Sequence, residues 1–151
     1  MAADDLSDDD IRALLRRTRR IALVGASDRP HRPSFGVAAF LIARGYALTP
    51  VNPLLAGRPL HGIPVAAGLD EAVPLDLVDV FRRSEQAGEV VDAAIALGAR
   101  AVWLQLGVID RPAAARARAA GLTVVMDRCP AIEWGRLGLP RDGVPGSAAM
   151  A

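Results

Sequence analysis

Ile21-Ala22-Leu23-Val24-Gly25-Ala26-Ser27 is a run of four apolar residues closed by a glycine. Such a run reads as a strand buried on both faces, as in a parallel sheet. A polar loop follows. From Ser34 the residues Ser-Phe-Gly-Val-Ala-Ala-Phe-Leu-Ile-Ala-Arg-Gly predict a helix, with Ser34 as N-cap and Gly45 as its stop. A strand, a glycine-bearing loop and a helix start together frame a site for a phosphorylated ligand. The first N–H groups of a helix lack intrahelical partners, and its dipole favours an anion there. The loop and helix-start N–H groups are therefore expected to point at a bound anion.

Outward from this unit, Ser7-Asp8-Asp9-Asp10 before Ile11, Leu14 and Leu15 predicts a capped helix to about Arg17, with acids in its first turn and arginines in its last. The cluster Arg16, Arg17, Arg19, Arg20 reads as a solvated helix end in preference to a phosphate patch. Downstream, strands are expected at 46–51, 76–81, 101–106 and 122–126, with a short edge strand at 63–65 and a helical turn at 69–73. Helices are expected at 85–97, 112–120 and 129–137. Strands alternating with helices of this length imply right-handed crossovers and a doubly wound parallel sheet. Ligands of such sheets sit beyond the C-terminal strand ends. That rule nominates Gly25-Ala26-Ser27, Asn52-Pro53, Phe81-Arg82-Arg83, Gln105-Leu106-Gly107 and Asp127-Arg128-Cys129.

The chain has 151 residues, a length suited to one core. The expected organisation is an N-terminal helix over 1–18 packed on the domain, the domain itself over 19–138, and a disordered Gly/Pro/Ala-rich tail over 139–151. No apolar run approaches the roughly 20 residues of a membrane span, and the acidic N-terminus is not a signal peptide. One Cys rules out an internal disulfide and fits a reducing cytoplasm. A net charge of +1 gives no overall field for nucleic acid. Every basic residue among the 18 is arginine, so an anion site must use Arg, His or backbone.

A nicotinamide dinucleotide is the default ligand of this frame, and two features oppose it. After Gly25 the next glycine is Gly36, so Gly-x-Gly-x-x-Gly is not met. The second strand ends Val51-Asn52-Pro53, where a ribose-binding acid belongs. Ser27-Asp28-Arg29-Pro30-His31-Arg32-Pro33-Ser34 carries two arginines, a histidine and two prolines, which suits a large, multiply phosphorylated ligand. An NAD(P)-binding redox sensor or oxidoreductase stays as the alternative.

Val24-Gly25-Ala26-Ser27, Gly45-Tyr46, Pro50-Val51-Asn52-Pro53, Asp79-Val80-Phe81-Arg82, Trp103-Leu104-Gln105-Leu106-Gly107 and Val125-Met126-Asp127-Arg128-Cys129-Pro130 stand in order at the strand ends. Together they resemble the small bacterial CoA-binding proteins. That family is similar to the N-terminal CoA-binding domain of the succinyl-CoA synthetase α-subunit. The resemblance spans about residues 19–137 and implies a Rossmann-like, three-layer α/β domain that binds coenzyme A or acyl-CoA. It implies that Gly25, Ala26, Ser27 and Ser34 line the phosphate or pantetheine path. Val51, Asn52 and Pro53 would cradle the adenosine, and Phe81, Arg82 and Arg83 would close over it. The synthetase tends to carry Lys just after its Val-x-Pro turn, where this chain has Leu54 and Leu55. Anion contacts then fall to Arg29, Arg32, Arg58 or Arg82. No counterpart of the synthetase's phosphohistidine domain is read here, and His31 and His61 stand in other contexts, so non-catalytic binding is expected.

Gln105 is read either as a ligand contact or as a partner of loop backbone. Cys129, before Pro130, is either a thiolate poised at a helix start or, in preference, a plain N-cap or buried residue. Trp103 reads as core. Asp127 and Arg128 are expected to pair and hold the last strand end. No metal-ligand spacing is present, and the sequence does not identify a protein partner.

Overall fold

The computed structural model describes residues 6–143. Ser7 caps α1 (Asp8–Arg17): its hydroxyl accepts from Asp10 N while the Asp10 carboxylate accepts from Ser7 N. The chain continues through β1 (Arg20–Val24), α2 (Pro33–Ala43) and β2 (Ala47–Val51). A longer connection follows, with a 3-10 turn at Pro53–Leu55, a hairpin of β3 (Pro59–Leu60) and β4 (Ile63–Pro64), and a second 3-10 turn at Leu69–Ala72. Then come β5 (Leu77–Val80), α3 (Ser84–Ala96), β6 (Ala101–Leu104), α4 (Arg111–Ala119), β7 (Thr123–Val125) and α5 (Pro130–Arg136).

The five-stranded sheet runs β2-β1-β5-β6-β7, with every pairing parallel. Helices cover both faces. Ile11, Leu14 and Leu15 of α1, Val37, Ala38 and Leu41 of α2 and Trp134 of α5 pack on one face, with Ile21 and Leu23 of β1. Ala87, Val91 and Ala94 of α3 and Ala113, Ala114 and Ala117 of α4 pack on the other, with Ala22. Small side chains let α3 and α4 lie close to the sheet. This is the doubly wound, single three-layer α/β domain expected from the sequence, and its direction of winding reverses between β1 and β5.

Several local expectations change. Helix α2 starts earlier than expected: Arg32 is its N-cap, Pro33 occupies the first helical position, and Ser34 lies inside the first turn, buried. Proline with its fixed φ suits that first position better than any polar cap two residues on. The strand expected at 63–65 pairs with Pro59–Leu60 outside the main sheet. The chain then returns along the outer edge of β2, where Ala66 N donates to Pro50 O (2.8 Å) and Asn52 N to Ala66 O (2.9 Å). His61, at the hairpin tip, bonds Phe35 O through Nε2 (2.9 Å) and so fastens the hairpin to the start of α2.

The expected Asp127–Arg128 pair is not formed. Asp127 Oδ1 accepts from Gly107 N (2.7 Å), and Arg128 instead meets Glu133 Oε1 (2.9 Å). Glu133 also receives Arg136 (2.7 Å), which reaches Asp8 (2.8 Å), so one chain of charges joins the exit of β7 to α5 and α1. The hydrogen bond from Arg136 is the main force holding the Glu133 carboxyl below the usual carboxylate range, with Arg128 adding to it. Leu139 is buried in the core and Trp134 Nε1 donates to Pro140 O, so packed chain runs past the boundary expected at 138. Residues 1–5 of the expected helical segment and 144–151 of the expected tail lie outside the described residues.

Candidate functional site

Three of the five strand ends nominated by the fold, those after β1, β2 and β5, converge where β1 and β5 part, and Gln105-Leu106-Gly107 and Asp127-Arg128-Cys129 do not line this place. Gly25 leaves β1 with φ +91°, and a Cβ placed there would stand 2.1 Å from Phe81 O, so only glycine fits this approach of the two loops. Gly25 N (3.0 Å) and Ala26 N (3.2 Å) both donate to Val51 O, which pins the loop to the end of β2. Asn52 locks the other side: its Nδ2 donates to Ala26 O (2.8 Å) and its Oδ1 accepts from Leu54 N (2.9 Å). Ser27 Oγ accepts from Arg29 N (3.1 Å), closing a turn.

Between this loop, the start of α2 and the exit of β5 lies an open cavity of about 760 Å³. Nine of the expected site residues line it: Gly25, Ala26, Ser27, Arg32, Ser34, Asn52, Phe81, Arg82 and Arg83. Asp28, Arg29, Leu54, Leu55 and Gln86 also line it. Arg29 and Arg32 were recognisable as loop cations. Gln86 is one helical turn from Arg82 and accepts from its Nη2 (3.1 Å). Four arginines against one aspartate leave the lining with three net positive charges. Among the described residues none of the four is ion-paired, so their charge is available to a ligand. Arg58 does not line this cavity.

The backbone donors are fewer than expected. Gly25, Ala26, Arg29, Arg32 and Phe35 already spend their N–H groups on the chain. Among the described residues, Ser27, Asp28, His31 and Ser34 keep theirs free of protein partners. The helix start thus supplies a direction and a few N–H groups, and the arginines supply most of the charge.

Val51 and Pro53 do not line this cavity. They line a neighbouring apolar groove of about 220 Å³ on the α3 side, with Val24, Leu69, Val90 and Ala93. Arg82 borders both spaces. Gln105 lines neither. It is 6% exposed and its Oε1 is buried without a partner, so the loop-backbone contact open to its side chain is not made. Cys129 is the buried N-cap of α5, and its side chain caps nothing. Trp103 is wholly buried and its Nε1 donates to Arg128 O (2.8 Å), which makes it a core residue tying β6 to the exit of β7. Among the described residues no group of three His, Cys, Asp or Glu side chains is disposed to hold a metal ion. None of their helices is long and apolar enough to cross a membrane.

A family described as CoA binding domain matches residues 19–135. The uncharacterized protein YneT of Bacillus subtilis is 38% identical over 121 residues, covering 80% of this chain and 88% of YneT. A hypothetical protein from Pyrococcus horikoshii superposes with a TM-score of 0.83 at 38% identity, covering 89% of this chain and 94% of that one. The acetyl-coenzyme A synthetase 1 of Ca. Korarchaeum cryptofilum shares the fold, with a TM-score of 0.64 at 20% identity over 78% of this chain and 28% of the synthetase.

Proposed function

The chain belongs to the CoA-binding domain family, and from that premise we propose that it binds coenzyme A or an acyl-CoA at the β1–β5 strand ends and performs no chemistry on it. The observation that carries this reading is the cavity lined by four arginines free of ion pairs, joined at Arg82 to an apolar groove. Coenzyme A has matching parts. Its phosphates suit Arg29, Arg32, Arg82 and Arg83 with the free N–H groups of Ser27 and Ser34. Its adenine suits the groove beside Val51 and Pro53. The pantetheine arm then runs past Phe81 toward Gln105. We place the protein in the cytoplasm, where a lone thiol stays reduced.

A nicotinamide dinucleotide has less to hold it. Its adenosine ribose calls for an acid at the end of β2. Asn52 stands there instead, with both ends of its carboxamide engaged by Ala26 and Leu54. Titration calorimetry with CoA, dephospho-CoA, NAD and NADP tests the choice. CoA binding is expected in the micromolar range or tighter, about −8 kcal/mol, with NAD and NADP far weaker. NAD binding as tight as CoA overturns the reading. Given succinate, CoA and ATP, the protein is expected to form no succinyl-CoA, and turnover above a protein-free control overturns the non-catalytic part.

A further inference from the structure

Two buried polar side chains have no partner in the fold described above. Asp79, in the middle of β5, is 0% exposed, and neither carboxyl oxygen meets a donor among the described residues. Gln105, just past β6, has its Oε1 buried in the same condition. A buried acceptor without a donor is costly, so two of them call for an explanation.

Register brings them together. Asp79 is aligned with Trp103 on β6. Gln105 N donates to Val80 O (3.2 Å), which continues the ladder one step past Leu104. Side chains alternate along a strand, so Asp79, Trp103 and Gln105 share the α2–α5 face. Two residues along and one strand across is a Cα separation of about 8 Å, a span that an aspartate and a glutamine reaching toward each other can close.

Brought together as two acceptors they would leave each other unsatisfied, and a single proton resolves both. A protonated carboxyl carries an O–H donor, and a carboxamide oxygen accepts it. No cation serves Asp79 instead: burial alone acts on its carboxyl and pushes it well above the usual carboxylate range. Helix α1 buries only Ile11, Leu14 and Leu15 against this face, and Arg44, at the end of α2, lies over the Phe40 ring. Tyr46 donates its hydroxyl to Leu15 O, Glu133 is held by Arg128 and Arg136, and Cys129 is enclosed at the start of α5. Helix α2 has no titratable residue.

We infer that Asp79 is a neutral carboxylic acid that donates its proton to Gln105 Oε1, and that this bond turns the Gln105 N–H2 group toward the strand-end rim. Asp79 touches no ligand; it is a positioning residue that acts through Gln105. With its oxygen held inward, Gln105 presents only donors to the rim. The ligand atom it selects is therefore an acceptor, such as an amide or thioester carbonyl oxygen. That choice of ligand rests on the reading of function above, whereas the hydrogen bond does not.

The test uses the whole protein with 13C-labelled aspartate and 15N-labelled glutamine side chains, followed by NMR. The wild-type Asp79 carboxyl is expected at its protonated position at pH 7, a measurement that needs no variant. Relative to Asp79→Asn, the wild-type unfolding constant is expected to rise about tenfold per pH unit from about pH 5 to 7, because the folded state then keeps a proton that the unfolded state has lost. Asp79→Leu, with no donor, is expected to move the Gln105 amide signals and to weaken CoA binding roughly tenfold, as Gln105→Leu does. The double variant is expected to be no weaker than either, and Asp79→Asn, which returns an N–H donor, to recover most of the loss. An ionised Asp79 at pH 7 overturns the inference, as do unmoved Gln105 signals in folded Asp79→Leu. Bound CoA that leaves the wild-type Gln105 N–H2 signals in place overturns the donor role. If CoA fails to bind the wild type, the functional reading falls, while the labelled Asp79 and Gln105 still decide the hydrogen bond.

Discussion

Replacing Asn52 by aspartate changes one atom type and tests both the clamp and the ligand. The carboxylate keeps its acceptor for Leu54 N but turns an oxygen toward Ala26 O, where Nδ2 donated at 2.8 Å. Losing that part-buried bond costs about 0.5–1.5 kcal/mol, and facing a carbonyl with an anion raises the total to roughly 1–3 kcal/mol of stability. Asn52→Ala loses both bonds without adding charge, for about 1–2 kcal/mol. The variants separate more clearly in binding. A carboxylate about 8 Å from a ligand phosphate, at an effective dielectric of about 20–80, opposes it by roughly 0.5–2 kcal/mol. Asn52→Asp is therefore expected to bind CoA about 2- to 30-fold more weakly than Asn52→Ala. The gap is expected to narrow in high salt, since the cavity is open, and to be wider for CoA than for dephospho-CoA if the 3′-phosphate lies nearest. Calorimetry at two salt concentrations, with melting curves for both variants, measures each part. If both variants bind CoA as the wild type does, with circular dichroism unchanged, the end of β2 is not in the site and the adenosine lies elsewhere.

Gly25→Ala is expected to cost about 2–4 kcal/mol in chemical denaturation and to weaken CoA binding, because φ is +91° and the new methyl would lie 2.1 Å from Phe81 O; a neutral result would mean that the loops after β1 and β5 part freely. Asp28→Asn removes the one acid lining the arginine cavity, and CoA should bind more tightly by about 0.5–1 kcal/mol by calorimetry at low salt; weaker binding would give Asp28 a contact with the ligand. Glu133 has its folded-state carboxyl held low by Arg136 and Arg128. Its contribution is therefore present above the usual glutamate range and lost as pH falls through the depressed value. Both arginines are about 40% exposed and can turn to water, so Glu133→Gln should cost only about 1–2 kcal/mol at pH 7. In urea titrations that cost should shrink toward pH 3, and a cost that does not change with pH would mean that the Glu133 charge is not its source.

The strands and helices were legible because each is written in consecutive residues: Ile21–Val24 is apolar on both faces, Gly45 and Gly121 stop helices, and Ser7 with Asp10 forms a cap within four positions. The position of the strand-end cavity was legible because the fold rule needs only the order of elements. What escaped depends on contacts between distant parts of the chain. Nothing near Asn52 says that Ala26 takes its amide, nor does Arg128 announce that it passes over adjacent Asp127 for Glu133. Asp79 reads as part of a strand motif, and its isolation appears only once β1 and β6 close around it. Ser34 misled because serine favours N-caps in general, while Pro33 decided where α2 begins.

The return of the chain along β2 has a bearing on association. A sheet edge with free N–H and C=O groups invites another strand. Here Ala66 already occupies the outer groups of Pro50 and Asn52, and Pro50 offers no N–H of its own. The opposite edge, β7, is only three residues long, too short a ladder to template much pairing. The sheet therefore ends at both sides in features that discourage edge-to-edge growth, and the connection that borders the arginine-lined cavity also covers the β2 edge.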